Sequence, residues 1–390
     1  MKKYKHLLIA VACIILTVCI MSVDIFIIKG FNNIKKQITL SYTAKAQSSN
    51  DFAESENPDP DSFTATAFIN SMSVGWNLGN SLDSHYGAPT GDANLSQETI
   101  WGNPKVSEEL IDYVNSLGFN TIRIPVSWYY HSYRDSSGHL FVNDQWLQRV
   151  KEVVDYCYAN DMYVILNSHH DGDLFHTGVS EEEFQLVSDN LTDLWTQLAI
   201  YFNDYDDHLI FEAYNEVDNY EKYWSFGSKA AKQLNELNQL FVDTVRSTGG
   251  NNAKRILMIP TLLDNSGKEF LSAFSLPNDT ISDRLLVTVH YYPEYYDETI
   301  EERLSSLESF SKYIGAPVVI GEWGTKSNYE PISFRSIHAS NYVARCSSHG
   351  IKCIYWDNGS DYAIINRKNL SCNQEMISAI MNPQSYTTGG

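Results

Sequence analysis

The chain has 390 residues, 43% hydrophobic and 19% charged, which is enough apolar material for a sizeable core and enough length for one large domain or two ordinary ones. Lys and Arg total 28 against 48 Asp and Glu, a net charge of −20 with a pI near 4.9, so the basic footprint required for DNA, RNA or an anionic membrane surface is missing. Aromatic residues make up 13%, with 25 Tyr and 8 Trp; such rings suit a neutral ligand that stacks on flat faces, although most of them are expected in the core.

Lys2, Lys3 and Lys5 precede an apolar run from Leu7 to Val23, which Asp24 interrupts and Ile25-Phe26-Ile27-Ile28 resumes. Basic residues before an apolar stretch form an export signal. The run exceeds the usual ~7–15-residue signal core and approaches the ~20 residues that span a bilayer. Residues 1–30 therefore read as an uncleaved signal anchor with the rest of the chain exported. A cleaved signal peptide is the alternative; Ala44-Lys45-Ala46 has the small-x-small cleavage pattern but lies far beyond the run. Both readings put the remainder outside the membrane, secreted or held at its outer face by this segment alone.

Residues 31–61 lose periodicity, and Ser48-Ser49-Asn50-Asp51 and Glu54-Ser55-Glu56-Asn57-Pro58-Asp59-Pro60-Asp61 read as an acidic, flexible linker. No internal repeat or second linker follows, so residues 62–390 are expected to form one domain, acting as a monomer. Its strand candidates are Val74–Leu78, Thr121–Val126, Tyr163–Asn167, Leu209–Tyr214, Ile256–Pro260, Leu285–His290, Val318–Gly321 and Lys352–Trp356. Helical periodicity lies between them, as in Trp146, Val150, Val153 and Cys157. It recurs in Phe184, Val187, Leu191, Leu194 and Leu198, behind a capping-box start at Ser180 and Glu183. Eight strands alternating with helices predict an α/β fold of the (β/α)8 TIM-barrel type rather than an open sheet, and no GxGxxG follows the first strand.

Cys13 and Cys19 sit in the N-terminal apolar run, leaving Cys157, Cys346, Cys353 and Cys372 downstream. No CxxC occurs, so there is no zinc-knuckle or thioredoxin signal. Cys157 and Cys353 are expected as buried thiols, and a disulfide stays open.

Active sites of such barrels collect at the carboxyl ends of the strands. Here those ends carry Asn77, Arg123, His169-His170-Asp171, Asn215-Glu216, His290-Tyr291-Tyr292, Glu322-Trp323 and Trp356. Two glutamates that follow apolar strands in so aromatic a chain suggest glycoside hydrolysis, which sets a pair of carboxyl groups across one bond. Any one of them alone reads equally as a strand-capping acid.

The motifs Gly75-Trp76-Asn77-Leu78-Gly79-Asn80, Gly118-Phe119-Asn120-Thr121-Ile122-Arg123-Ile124-Pro125, Asn215-Glu216, His290-Tyr291-Tyr292 and Gly321-Glu322-Trp323-Gly324 occur in one order across the whole domain. Together they resemble glycoside hydrolase family 5, the cellulase-type family of retaining β-glycanases. Glu98-Thr99-Ile100-Trp101-Gly102-Asn103-Pro104 is similar to its endoglucanase and xyloglucanase branch. The resemblance implies an endo-acting β-1,4-glucanase needing no cofactor or metal, with a β-1,4-linked polysaccharide as partner. Xyloglucan, mixed-linkage glucan and mannan are alternatives on the same scaffold.

The resemblance also implies roles. Glu322 is the expected nucleophile and Glu216 the general acid/base, with Arg123 and Tyr292 on the nucleophile and His290 near Glu216. Asn215 is expected at the sugar 2-OH and His169 as a supporting histidine. Asn77, His170, Trp323 and Trp356 complete the expected substrate surface, with Trp224, Tyr129 and Tyr130 as outer subsites and Trp76 divided between core and cleft. Where the family often has Pro after Asn-Glu, this chain has Val217, which bears on the loop rather than the chemistry. Two other classes fit the sequence less well: a metal-dependent hydrolase using His169, His170 and Asp171, which leaves the glutamate pair without a purpose, and a non-catalytic carbohydrate-binding barrel, which predicts a missing carboxylate.

Overall fold

The computed structural model describes residues 63–295, 297–327 and 331–384. The chain divides into two units, Met1–Asp59 and Pro60–Gly390, and only the second contains described residues. The expected signal or anchor (1–30) and the linker (31–61) thus lie outside the described residues. Among the described residues, no helix is long and apolar enough to cross a membrane.

Eight strands carry the architecture: β1 Gly75–Leu78, β2 Thr121–Ile124, β3 Tyr163–Asn167, β4 Leu209–Glu212, β5 Leu257–Asn265, β6 Leu285–His290, β7 Val318–Trp323 and β8 Lys352–Asp357. They pair in parallel in the order β1-β8-β7-β6-β5-β4-β3-β2, and β1 pairs again with β2, so the sheet closes into a barrel. The helices are α1 Ala65–Ser71, α2 Glu108–Ser116, α3 Asp144–Ala159, α4 Glu181–Tyr201, α5 Ser228–Ser247, α6 Lys268–Ala273, α7 Ile300–Ile314, α8 Ile332–Ser348 and α9 Gln374–Met381. This is the (β/α)8 fold expected from the alternation of strands and helices.

Both faces of each strand are covered, which is why the strands read as continuous apolar runs. One core cluster fills the barrel's lower interior, where Ile165, Ile210, Met258, Leu286, Val319 and Ile354 meet Phe68 and Ile69 of α1. That short helix closes the barrel's N-terminal end; its cap is Thr64, whose side chain accepts the Ala67 N–H. The second, larger cluster lies between strands and helices. Trp146, Val150, Val153 and Cys157 of α3 are all fully buried in it, and α4 begins where Ser180 accepts the Glu183 N–H.

The strand ends depart from expectation where side chains must be aimed. β4 stops at Glu212, short of Tyr214, while β7 and β8 continue to Trp323 and Asp357. β5 runs on to Asn265 because it bulges: Pro260 faces Thr288 and Asn265 faces His290, and Leu263 and Asp264 absorb the excess at φ +57° and +49°. Cys157, Cys346, Cys353 and Cys372 are free thiols, the first three buried.

Candidate active site

The site is assembled around one guanidinium. Arg123, at the mouth of β2, is fully buried. Its Nε and Nη2 grip Glu212 of β4 at 2.6 and 2.8 Å, a bidentate fork. Nη1 donates to Glu322 Oε1 at 2.7 Å and to Asn77 Oδ1 at 2.9 Å, and Nη2 also donates to Asn215 Oδ1 at 2.8 Å. Asn77 in turn donates from Nδ2 to the Gly321 carbonyl at 3.0 Å. Four strands and the loop after β4 are thus tied to one cation.

Glu322 reaches this cation because of the period-two alternation of β7. Its side chain turns into the barrel mouth, where Tyr292 donates to Oε2 at 2.8 Å. Gly321 lets β7 pass against β6, for a Cβ there would lie 2.5 Å from Thr288 Oγ1. Both Glu322 oxygens thus accept hydrogen bonds, which fixes the orientation of the carboxyl group.

Glu216 comes from the loop after β4 and has a left-handed backbone, φ +41°. For a residue with a Cβ that conformation costs about 1–2 kcal/mol. Two cross-strand bonds hold it: Asn215 N–H donates to the Ser168 carbonyl at 2.8 Å, and Glu216 N–H to Asp264 Oδ2 at 2.6 Å. Glu216 Oε1 meets His290 Nδ1 at 2.7 Å, and the same nitrogen lies 3.7 Å from Glu322 Oε2. One oxygen of each glutamate and a His290 nitrogen all fall within 4.8 Å of one another. Nearest oxygens so close fit the short carboxyl separation of retaining glycosidases rather than the ~6.5–9.5 Å that leaves room for an inverting enzyme's water.

The two carboxyl groups have opposed partners. Burial alone would raise the Glu216 carboxyl, but the hydrogen bond and charge of His290 hold it below its usual range. Burial disfavours the His290 cation, yet the charges of Glu322, Asp264 and Glu216 outweigh it and push the imidazole up to about 9. His290 Nε2 is buried without a hydrogen-bond partner among the described residues, so a full imidazolium would leave an N–H unpaired there. We therefore treat Glu216 and His290 as one pair sharing a proton along their 2.7 Å bond. Tyr292 is pushed upward by burial and by Glu322, so it stays a donor.

His169 is held neutral by burial and by the charges of His170, Arg123 and His290. Asn167 Oδ1 accepts the Val126 N–H at 3.3 Å, so its Nδ2 donates to His169 Nδ1 at 3.2 Å and leaves the imidazole proton on Nε2, 3.9 Å from Glu322 Oε1. The Trp356 ring stacks on His169 with centroids 5.6 Å apart. A cleft beside Glu216 is lined by His169, His170, Asn215, Asp218 and Trp224.

Several expected substrate contacts are corrected. Trp323 has no exposed surface and packs against Tyr342 and Tyr355, because alternation turns it toward the helices when Glu322 turns inward. Asn77 is fully buried and spends both ends of its amide on Arg123 and Gly321, so it orients the site rather than touching sugar. Trp76 is core, beneath the Arg367 guanidinium. The His169-His170-Asp171 ligand set does not assemble, since Asp171 accepts the Trp128 and Tyr129 N–H groups at 2.8 Å and the Ser168 hydroxyl. Asp83, His169 and His170 do offer atoms within 4.8 Å, but the Asp83 oxygens already accept the Asn80 and Ser81 N–H groups at 3.0 and 2.7 Å. His170 and Trp224 line the cleft and Trp356 stacks on the cleft residue His169, whereas Tyr130 is stacked on His85 and buried. Val217 is buried, and the loop beyond it is held by the short pairing of Asp218 and Asn219 with His176 and Thr177.

Two residues that no sequence motif marks also belong to the site, Glu212 and Asp264. Both are fully buried carboxylates at strand ends. Alternation turns Glu212 into the barrel, where a buried acid needs a partner, but only the folded barrel brings it to Arg123.

The sequence profile described as Cellulase (glycosyl hydrolase family 5) matches residues 84–362. The chain belongs to glycosyl hydrolase family 5. Endoglucanase A of Clostridium longisporum is 36% identical to it over 337 residues, covering 79% of this chain and 63% of that enzyme, so the chain spans under two thirds of that relative's length. A family 5 broad-specificity endoglucanase from Ruminococcus champanellensis, solved with bound cellotriose, superposes with a TM-score of 0.76 at 34% identity, covering 82% of this chain and 98% of that one. A family 5 lichenase variant from a Caldicellulosiruptor species, solved with cellotetraose, gives 0.76 at 34% identity, covering 85% and 98%. The strand-end carboxylates around Arg123 are therefore those of a family 5 glycoside hydrolase.

Proposed function

We propose that this family 5 hydrolase is an endo-β-1,4-glucanase that cleaves with retention, Glu322 acting as nucleophile and Glu216 as acid/base. The observation that carries the reading is the pair itself: two carboxyl groups with oxygens no more than 4.8 Å apart, one held by Arg123 and Tyr292, the other sharing a proton with His290. Glu322 attacks the anomeric carbon as the glycosidic C–O bond breaks, and Glu216 gives its proton to the departing oxygen. Water then attacks the glycosyl ester, Glu216 takes the water's proton, and the Glu322 carboxylate is released. A sugar covering Glu216, whose side chain is 29% exposed in the open cleft, removes its hydration and moves the shared proton from His290 onto the carboxyl. Asn215 Oδ1 is taken by Arg123, which leaves its amide NH2 for the sugar 2-OH.

The preferred substrate is an internal bond of a soluble β-1,4-glucan, with mixed-linkage glucan as the second reading, favoured by the likeness to a lichenase. The basic and apolar N-terminal segment supports export, secreted or anchored at the outer face of the membrane. Reducing-sugar release from carboxymethyl cellulose, mixed-linkage glucan, xyloglucan and mannan, with product sizing, tests the substrate. Glu322→Gln and Glu216→Gln are each expected to lose at least about 100- to 10,000-fold in kcat, the span typical of a missing acid, base or charge stabiliser. Azide should restore turnover to Glu322→Gly. Wild-type rates in either Gln variant would overturn the assignment.

A further inference from the structure

The left-handed turn at Glu216 has a partner that the reaction does not consume. Asp264 is fully buried, yet it stands where β5 departs from regular strand geometry, with Leu263 and Asp264 themselves left-handed. Thr261 Oγ1, donating to the Asn265 carbonyl at 3.0 Å, closes this bulge. Left-handed backbone in two successive residues with side chains is rare, and such strain marks places where a side chain must be aimed. Here the bulge aims Asp264 Oδ2 at the Glu216 N–H, 2.6 Å away.

We propose that Asp264 is the positioning residue of the acid/base: its carboxyl locks the Glu216 main chain in the left-handed turn that carries the acid to the leaving oxygen, and its charge sets the alkaline limit of proton delivery. This rests on the reading of Glu216 as acid/base. The groups that face Asp264 are Glu212 and Arg123 from β4 and β2, His290 from β6, and Tyr214 and Glu216 from the loop after β4. Burial, partly offset by His290, pushes Asp264 up to about 8, so its charge, one of those that raise His290, builds up only as the solution becomes alkaline. The new charge raises the proton affinity of the His290–Glu216 pair as the solution becomes more alkaline, and the acid stays loaded longer.

The test compares Asp264→Asn, which is isosteric and keeps an acceptor without the charge, with Asp264→Ala, which removes both. Each is assayed on β-glucan and on 2,4-dinitrophenyl cellobioside, whose phenolate leaves without a proton. Asp264→Ala should lose about 10- to 100-fold in kcat on β-glucan with KM little changed, the loss expected when a reacting group is misplaced by ~1 Å. Its bond-cleavage step on the dinitrophenyl substrate should fall much less. Asp264→Asn should keep most of its activity but shift the alkaline limb of kcat/KM to lower pH. Equal losses on both substrates, together with an unmoved alkaline limb, would overturn the inference and leave Asp264 merely structural. If Asp264→Ala does not fold, the limb of the Asn variant decides alone. Glu216→Gln run in parallel separates the two claims: high activity there removes the acid/base reading itself, whereas a dead Glu216→Gln beside unaltered Asp264 variants removes only this one.

Discussion

Arg123 joins stability to chemistry through a single side chain. Its fork holds Glu212, which has no solvent contact, while its other nitrogen holds Glu322. Removing one partner of a buried pair leaves a charge uncompensated, whereas replacing both by apolar groups is often neutral. Arg123→Met should therefore lower unfolding stability by about 3–5 kcal/mol in a denaturant titration. The double variant Arg123→Met/Glu212→Met should recover part of that, since Glu322 is still left without its cation, and for the same reason should stay inactive. Recovery of activity along with stability would contradict this division. Arg123, Glu216 and Glu322 were legible because they fall inside motifs. Glu212 and Asp264 were not, because nothing in a linear chain says which strand-end acids converge on one cation or which loop they brace.

At the level of elements, β7 shows what alternation settles and what it leaves to be misread. Gly321, Glu322 and Trp323 are consecutive, so Glu322 and Trp323 must face opposite ways. The motif invites reading both as sugar contacts; the pleat sends Trp323 into the helix layer, against Tyr342. Gly321 belongs to the same arrangement. Gly321→Ala should destabilise by about 1–3 kcal/mol through overpacking against Thr288, and Thr288→Ala in the same chain should restore part of the loss. Thermal melts of the two variants check this, and a Gly321→Ala variant as stable as wild type would refute it. The eight strands were readable to within a few residues, except β5, whose bulge follows from pairing with β6 and from no local propensity.

For the whole molecule, the concentration of acids around one mouth has a pH consequence. His290 rises from 6.5 to about 9 and Asp264 from 3.8 to about 8 on folding. A group whose value is raised binds its proton more tightly in the folded chain, so its contribution is full below the unfolded value and is lost as pH rises through the folded one. Stability should therefore decline from about pH 6.5 to 9, with the Asp264 share spread from 3.8 to 8. Glu216, held low, acts in the opposite sense on the acid side. Melting temperatures across that range test the sign, and a flat or rising series would contradict it. The barrel itself was legible because both strand faces are buried and the helices are amphipathic; the N-terminal plug of α1 was not, since Ala65–Ser71 is too short to show a period.

The central claim is that Glu322 forms a covalent glycosyl ester. Incubation with an activated 2-deoxy-2-fluoro-cellobioside, which slows release of that ester, followed by peptide mass mapping, tests it most directly. One adduct is expected, on the peptide carrying Glu322, and none in Glu322→Gln. An adduct on another carboxylate, or no adduct together with inverted product stereochemistry, would contradict it.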